Sequence, residues 1–572
     1  MDKYAVASAL NDIARYLDLS DPNPFRARAF EKAARAVEGL EGSLDDAGAL
    51  TGVAGIGKAT ATIIEELART GTSAYLEELR ALYPPGIFEL SRVPKLGLRK
   101  IGQLHSELGI GSLDELEAAA RAGKLAKLKG FGSKTQQLVL EGIAFARTRE
   151  SRFLLPIGVE VGELLREWLA GMAAVEDAEV AGSVRRRMEI IEDVQVVVAT
   201  KAPAKVIAAI HADGIVADAE TLEGRIIRGR VRNEIDVVIH VADSNDFGAT
   251  LLVATGSAEF LEAWSARASK NGCELREGSL FKRGKHVNTP TEEEVFERAG
   301  VVWVDPERRE SGDDLKLRKP RALVELAALR GTFHVHTTYS DGRNTLVEML
   351  NVARERGFDY LGISDHSKTA SYAGGLSEES LKLQAAELES LRPRVAPMRV
   401  FRGSEADILA DGSIDYGPKT LRQFDFVVAS VHSRFSMPKD EMTDRLLRAL
   451  DDPCVTFLGH MTGRRLLSRE GYTFDYDRIF ERAAERGVMI EINGNPNRLD
   501  IDWRVIRRAL DRGVRFSIHP DAHSTREFGA LLTGTWVARK AGLSAKEIFN
   551  TRSLEEVEAY LDARRQKART GL

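Results

Sequence analysis

The sequence predicts a multidomain chain. A helical N-terminal region leads to a central α+β region, and then to a C-terminal half in which short strands alternate with helices. Three observations carry this reading. The 572 residues exceed one compact core, and roughly 150 residues per domain gives a prior of about four. Leu10, Ile13, Ala14 and Leu17 recur at helical spacing near the start. From residue 331 on, apolar runs such as 360–364, 400–403, 426–430, 456–459, 489–492 and 516–518 alternate with amphipathic stretches, which argues for a parallel-strand barrel or an α/β layer. The charged fraction of 29% and the hydrophobic fraction of 43% exclude collagen-like, wholly disordered and membrane-embedded classes. No apolar run is long enough for a membrane span, and the N-terminus carries no secretory core. Two cysteines, Cys273 and Cys454, rule out a disulfide framework and a cysteine zinc site and fit a reducing cytoplasm.

Taken in order, Pro22, Asn23 and Pro24 mark a turn before a second helix at about 25–38. Three short glycine turns follow, each opening a helix: Gly52–Lys58 with Gly55 and Gly57, Val93–Lys100 with Gly97, and Leu128–Lys134 with Gly130 and Gly132. Residues 1–150 hold 20 basic and 20 acidic side chains. Any nucleic-acid contact there must use local donors and not a basic field. Val194–Ala199 and Ile235–Val241 are β-branched runs around a helix at 203–213, so 151–245 reads as α+β. Residues 246–315 are mixed, 316–330 a charged connection, and 331–572 the strand–helix half.

That last half concentrates metal-ligand chemistry. His334 and His336 are one residue apart, so both imidazoles face one side of a strand. Asp341 follows in a Ser-Asp-Gly turn. His366, Glu405, His432 and His460 each follow a strand, as do Asp521 and His523. The strand at 489–492 is the exception, ending at Asn493. Six of the chain's eleven histidines belong to this set, and catalytic groups gather at the C-terminal ends of strands in parallel barrels. Histidine and carboxylate without thiolate suit Zn²⁺, Mn²⁺ or Fe in a multinuclear hydrolytic site.

These residues identify 331–572 as similar to the polymerase and histidinol phosphatase (PHP) domain, a metal-dependent phosphoesterase. The resemblance covers all nine ligand positions. It implies a distorted seven-stranded (β/α)7 barrel with up to three divalent metals, Mn²⁺ or Zn²⁺ first among them. It further implies one metal on His334, His336, Glu405 and Asp521, a second on Glu405, His432 and His460, and a third on Asp341, His366 and His523. Glu491–Arg498 resembles the family's substrate-facing loop. Arg434, Arg464 and Arg498 lie near the motifs as candidate phosphate holders, with solvated surface arginine an equal reading.

The run beginning Gly182-Ser183-Val184-Arg185-Arg186 resembles the palm of the DNA polymerase X family. The order of the chain matches that family's bacterial branch: 1–85 and 86–150 helix-hairpin-helix regions, 151–245 palm, 246–315 thumb, 316–330 linker, 331–572 PHP domain. Asn23-Pro24-Phe25, Ala29-Phe30, Thr255-Gly256-Ser257 and Pro306–Glu310 add to the match. The resemblance implies DNA repair by gap filling, with Gly182, Ser183 and Arg186 at the nucleotide triphosphate. It requires three carboxylates to hold two Mg²⁺ or Mn²⁺ ions. Asp193 and Asp236 supply two, but Gln195 stands where the third belongs. Val238, Val253, Ala254 and Leu261 depart from the family in the same direction. Glu234 shares the strand side of Asp236 and reads as a solvated strand-end residue ahead of a substitute ligand. Ile63 occupies the register of the Schiff-base lysine of some relatives, so that lyase is not expected.

In the hairpins the resemblance is to helix-hairpin-helix DNA binding, through Gly55, Gly57, Lys58, Gly97, Lys100, Gly130, Gly132 and Lys134, with Arg99 and Lys129 adding charge. The expectation is a cytoplasmic, monomeric DNA-repair protein that acts as a metal-dependent 3′–5′ exonuclease on gapped or 3′-ended DNA, with a degraded polymerase site. An active gap-filling polymerase using dNTPs is the alternative. A non-catalytic repair module and a small-molecule phosphatase rank below it.

Overall fold

The computed structural model describes all residues except 1–2, 21–23, 39–49, 54, 85, 94–95, 148–151, 232–234 and 571–572. The turn at Pro22-Asn23, Pro94-Lys95 of the second hairpin, and Glu234 therefore lie outside the described residues. No helix among the described residues is long and apolar enough to cross a membrane. The chain divides into two compact units, Met1–Glu150 and Ser151–Leu572.

The first unit is helical and has two apolar clusters. Val6, Leu10, Ile13, Ala33, Ile64 and Leu67 form one. Leu90, Ile101, Leu104, Leu116 and Phe131 form the other. Each glycine turn does open a helix, at Lys58–Thr70, Leu98–Leu108 and Ser133–Arg147. Gly55 sits at φ 104°, a backbone that strains any other residue.

The second unit begins with a five-stranded sheet. Its strands are β1 Asp177–Ala181, β2 Asp193–Thr200, β3 Ala217–Leu222, β4 Ile226–Val231 and β5 Ile235–Asp243, in spatial order β1-β2-β5-β4-β3. β2 and β5 are parallel, with Asp193 opposite Asp236 and Gln195 opposite Val238. Both strands are runs of valine and isoleucine because both are central and buried. A smaller three-stranded antiparallel sheet spans Cys273–Arg276, Ser279–Lys282 and Lys285–Val287.

The C-terminal half is a seven-stranded, all-parallel, nearly closed barrel. Its strands in order are β6 Gly331–Thr332, β7 Tyr360–Ile363, β8 Arg399–Asp407, β9 Phe426–Ser430, β10 Phe457–Leu458, β11 Met489–Asn493 and β12 Phe516–His519. The first and last strands approach closure: Thr332 Oγ1 donates to the Ile518 carbonyl at 3.2 Å, and His336 N–H donates to Ala522 at 2.8 Å. Aromatic rings fill one end of the barrel. Phe333 lies 5.0 Å from both Phe426 and Phe457, centroid to centroid. The missing side chains of Gly362 and Gly403 leave the space that Phe426 occupies. This plug is the floor beneath the histidines.

Residues 316–330 pack on the barrel and do not hang free. Val324 is fully buried and its N–H donates to the Leu543 carbonyl at 2.9 Å. Lys540, on helix Ala530–Lys540, is buried, its Nζ 2.8 Å from Glu310 and 2.9 Å from the Arg186 carbonyl.

Candidate metal centre and neighbouring sites

The nine residues expected as ligands come together in one pocket at the C-terminal ends of the strands. Glu405, at the end of β8, is its hub. His460 Nε2 stands 2.9 Å from Glu405, His366 Nδ1 3.0 Å, and His334 and His432 Nε2 each 3.3 Å. Asp521 lies 3.4 Å from His334 and 3.5 Å from His336. Asp341 lies 3.3 Å from His523 and 3.6 Å from His366. The ligand atoms group as His334, His336 and Asp521; as Glu405 with His334 and His460, and again with His366 and His432; and as His336, Asp341, His366 and His523.

The donor set fits metal ions. His334 Nε2, both nitrogens of His336, His366 Nδ1 and His460 Nδ1 are buried with no hydrogen-bond partner among the described residues. Buried polar atoms are normally satisfied. Here carboxylate oxygens stand close by, and these rings belong to the groups of candidate ligands just given. Burial, with His523 and His366 adding to it, pushes His336 down to about 3, which keeps it neutral, the ligating form. Burial opposes the charged form of Glu405 too, but His334, His366 and His432 hold its carboxyl well below the usual range.

The sequence reading placed Glu491 and Asn493 only in a substrate-facing loop, and it missed Asp407 and His519. Glu491 is fully buried on β11. One oxygen accepts from His334 Nδ1 at 2.5 Å and lies 3.1 Å from His519 Nδ1. The other accepts from the His460 backbone N–H and from Asn493 Nδ2. Asn493 also donates to Asp521 at 3.1 Å. Glu491 thus ties three ligand-bearing segments together and turns His334 Nε2 toward the centre. Asp407 does the same for His432, accepting from Nδ1 at 2.7 Å. The signal was present: a carboxylate in the apolar run Met489-Ile490-Glu491-Ile492, and His519 after Phe516-Ser517-Ile518, cannot be buried without partners. Of the three arginines, Arg464 is spent on Asp502 and on the Arg498 carbonyl. Arg498 Nε stands 3.5 Å from Asp521, and Arg434 is exposed.

The residues expected to form a palm also meet, with a different result. Gln195 Nε2 donates to Asp193 at 3.1 and 3.3 Å, and Gln195 Oε1 lies 3.2 Å from His240 Nε2. Burial pushes His240 down to about 4, with Arg228 adding to it, so the neutral ring donates to that oxygen. The amide therefore presents N–H groups toward Asp193 where a metal would need an acceptor. Gly182, at φ 63°, packs on this amide: a Cβ there would lie 2.9 Å from Gln195 Cγ. Ser183 Oγ is buried without a partner among the described residues. Arg186, expected at the triphosphate, is instead paired with Glu310 at 2.8 Å and donates to the Thr255 carbonyl at 2.8 Å. Asp236 is exposed.

In the first unit, Gly57 and Gly97 cap the helices that begin at Lys58 and Leu98. Gly130 has φ 85°, and Gly132 precedes the third helix. None of these three helices has an acidic residue in its first turn, whereas Leu113–Arg121 carries Asp114 and Glu115 there. Their positive ends are left for an external anion. Lys58, Arg99 and Lys129 are exposed. Lys100 lies over the Phe131 ring, 5.5 Å from its centroid. The Lys134 side chain lies outside the described residues.

Comparison with known proteins bears on all these regions. Residues 1–73 match the helix-hairpin-helix domain and 87–144 the SAM-like helix-hairpin-helix tandem. Residues 250–310 match the DNA polymerase beta thumb and 332–495 the PHP domain. The chain is 32% identical over 568 residues to the DNA polymerase/3′-5′ exonuclease PolX of Bacillus subtilis, covering 98% of this chain and 99% of that protein. It is 28% identical over 247 residues to a probable phosphatase of Vibrio campbellii, covering 41% of this chain and 93% of that protein. A probable phosphatase of Caldanaerobacter subterraneus is 26% identical over 251 residues, covering 41% and 91%.

Proposed function

The chain belongs to the bacterial DNA polymerase X family with a C-terminal PHP domain, and from that premise we propose that it is a DNA-repair enzyme whose working chemistry is hydrolysis. The barrel acts as a metal-dependent 3′–5′ exonuclease on DNA. The first unit holds the DNA backbone, and the palm polymerises weakly or not at all. One observation carries the reading: nine convergent side chains include five buried imidazole nitrogens that lack a hydrogen bond among the described residues.

The nine residues would hold divalent ions, Mn²⁺ or Zn²⁺ by donor type. When bound, such ions supply charge neutralisation at the phosphoryl oxygens and acidify water near neutral pH. The protein's own groups do the positioning. Glu491 and Asp407 fix the tautomers of His334 and His432. Glu405 and Asp521 keep negative charge in a dry pocket, where it attracts cations strongly. Arg498 stands beside Asp521 and is suited to a phosphate flanking the scissile one.

The alternative of an active gap-filling polymerase has one supporting feature, the register pairing of Asp193 with Asp236. Against it stand the amide N–H groups of Gln195 and the occupied Arg186. DNA labelled at its 5′ end and carrying a gap, incubated with Mn²⁺ or Mg²⁺ with and without dNTPs, separates the readings. Shortening supports the exonuclease. Lengthening at polymerase-like rates overturns the lapsed palm.

A further inference from the structure

Between His366 and helix Glu378–Val395 one aromatic side chain points outward. Tyr372 is 68% exposed, in the short turn Ser371–Ala373. Among the described residues of 151–572 it is the only aromatic among the large hydrophobic side chains left exposed. The turn that carries it is anchored. Ala370, Ala373 and Leu376 are buried. Thr369 N–H donates to Asp415 at 2.7 Å, and Leu376 N–H to the His366 carbonyl at 2.9 Å. Gly375 is packed so closely that a Cβ there would sit 1.9 Å from the Ser367 carbonyl oxygen. The ring is therefore held out by a firm base.

Its place gives it meaning. The ring centroid lies 6.2 Å from that of His366 and 6.1 Å from that of His432, at 59° and 70°. These steep contacts leave ring surface open to solvent. The neighbouring side of the pocket, where Asp341 and His523 are 36% and 26% exposed, is its open side.

We propose that Tyr372 is a stacking platform for the nucleobase of the 3′-terminal nucleotide being removed, a base subsite beside the metal centre. The proposal rests on the exonuclease reading above. One sugar separates a base from its phosphate. A phosphodiester among ligands that include His366 and His432 therefore brings its base within reach of a ring touching both. Stacking tolerates every base, because every base has a π-face. It also requires the base to have left its helix, which costs least for a mismatched or frayed end. The subsite therefore selects unpaired 3′ termini over paired ones.

The test uses the full-length protein and its Tyr372→Ala and Tyr372→Trp variants on DNA with a matched, mismatched or abasic 3′-terminal nucleotide. On the mismatched end Tyr372→Ala loses about tenfold or more in kcat/KM, the size expected for one aromatic–base stack, mainly through KM. Tyr372→Trp retains activity. Removing the terminal base costs the native protein a similar factor and costs Tyr372→Ala nothing further. With Mn²⁺ and a hydrolysis-resistant phosphorothioate at the terminal linkage, 2-aminopurine at the 3′ end is quenched on binding to the native protein and to Tyr372→Trp, but not to Tyr372→Ala. Equal losses from Tyr372→Ala on base-bearing and abasic ends, or identical quenching in all three proteins, overturn the subsite while leaving the exonuclease intact. If the native protein shortens none of these DNAs with Mn²⁺ or Mg²⁺, the exonuclease reading itself fails and takes the subsite with it.

Discussion

Replacing Gln195 by aspartate puts the proposed loss of polymerase activity to a direct test. In the native protein the amide donates to Asp193 and accepts from His240. Aspartate is one methylene shorter, so the bond to His240 is lost and Gly182 no longer packs on Gln195 Cγ. A third carboxylate then joins Asp193 and, across the strand pair, Asp236. Two like charges roughly 4 Å apart repel by about 1 kcal/mol in a water-like medium and about 4 kcal/mol at an effective dielectric constant of 20. Gln195 and Asp193 are half-buried, so the cost lies between these limits. Without divalent metal the variant should melt several degrees below the native protein, and millimolar Mg²⁺ should restore most of the loss while leaving the native Tm unchanged. Nucleotide incorporation on gapped DNA should rise. A complete site recovers about 10³-fold or more, the worth of several kcal/mol of transition-state stabilisation. The gain should fall short of that, because Arg186 remains held by Glu310 and Val253, Ala254 and Leu261 remain departures from the family's residues. A Mg²⁺-independent Tm together with unchanged incorporation would refute the idea that position 195 is the missing ligand. Native incorporation at polymerase-like rates, abolished by Glu234→Gln, would refute the lapsed palm altogether.

Other outcomes follow from the same geometry. His336→Ala and Asp521→Ala should each abolish DNA shortening and lower bound metal by elemental analysis, whereas Asp236→Ala should leave shortening unchanged; full nuclease activity in His336→Ala would contradict the barrel assignment. Glu491→Gln keeps the shape of the side chain but weakens the hold on His334, so metal affinity by titration calorimetry should fall about 10- to 100-fold, and an unchanged affinity would remove its positioning role. DNA binding by the full chain should weaken linearly in log–log salt plots, and Lys58→Ala and Lys100→Ala should each reduce the slope by up to about one unit; salt-independent binding would sink the backbone-contact reading. Burial works against the buried carboxylate of Glu292, but Arg309 and Arg185 hold its pKa below the ordinary value. Its stabilising contribution is therefore complete above about pH 4.5 and is lost as pH falls toward the lowered folded value. Glu292→Gln should lose about 3–5 kcal/mol at neutral pH by denaturant titration and flatten that acid limb.

The sequence by itself determined the inventory of candidate ligands. A buried histidine or carboxylate is costly without a partner, so a recurring series of them after strands points to a shared use. The spacing of His334, His336 and the strand-end residues was therefore readable one position at a time. The helix openings were readable too, because a glycine turn and the run after it are local. Pairing across the chain was not. Glu491 meets His334 from 157 residues away and Lys540 meets Glu310 from 230. Strand periodicity says that Glu491 and Asn493 share a face, but not which histidine that face meets. The same limit applies to Gln195. Its identity was plain, but only the neighbouring His240 ring decides that the amide turns its oxygen away from Asp193. Arg186 showed its charge in the sequence, while its engagement by Glu310 depends on how thumb, palm and barrel pack. Local chemistry is written in residue type and spacing. The direction of a side chain, and the partner it spends its charge on, come from contacts that exist only once the chain has folded.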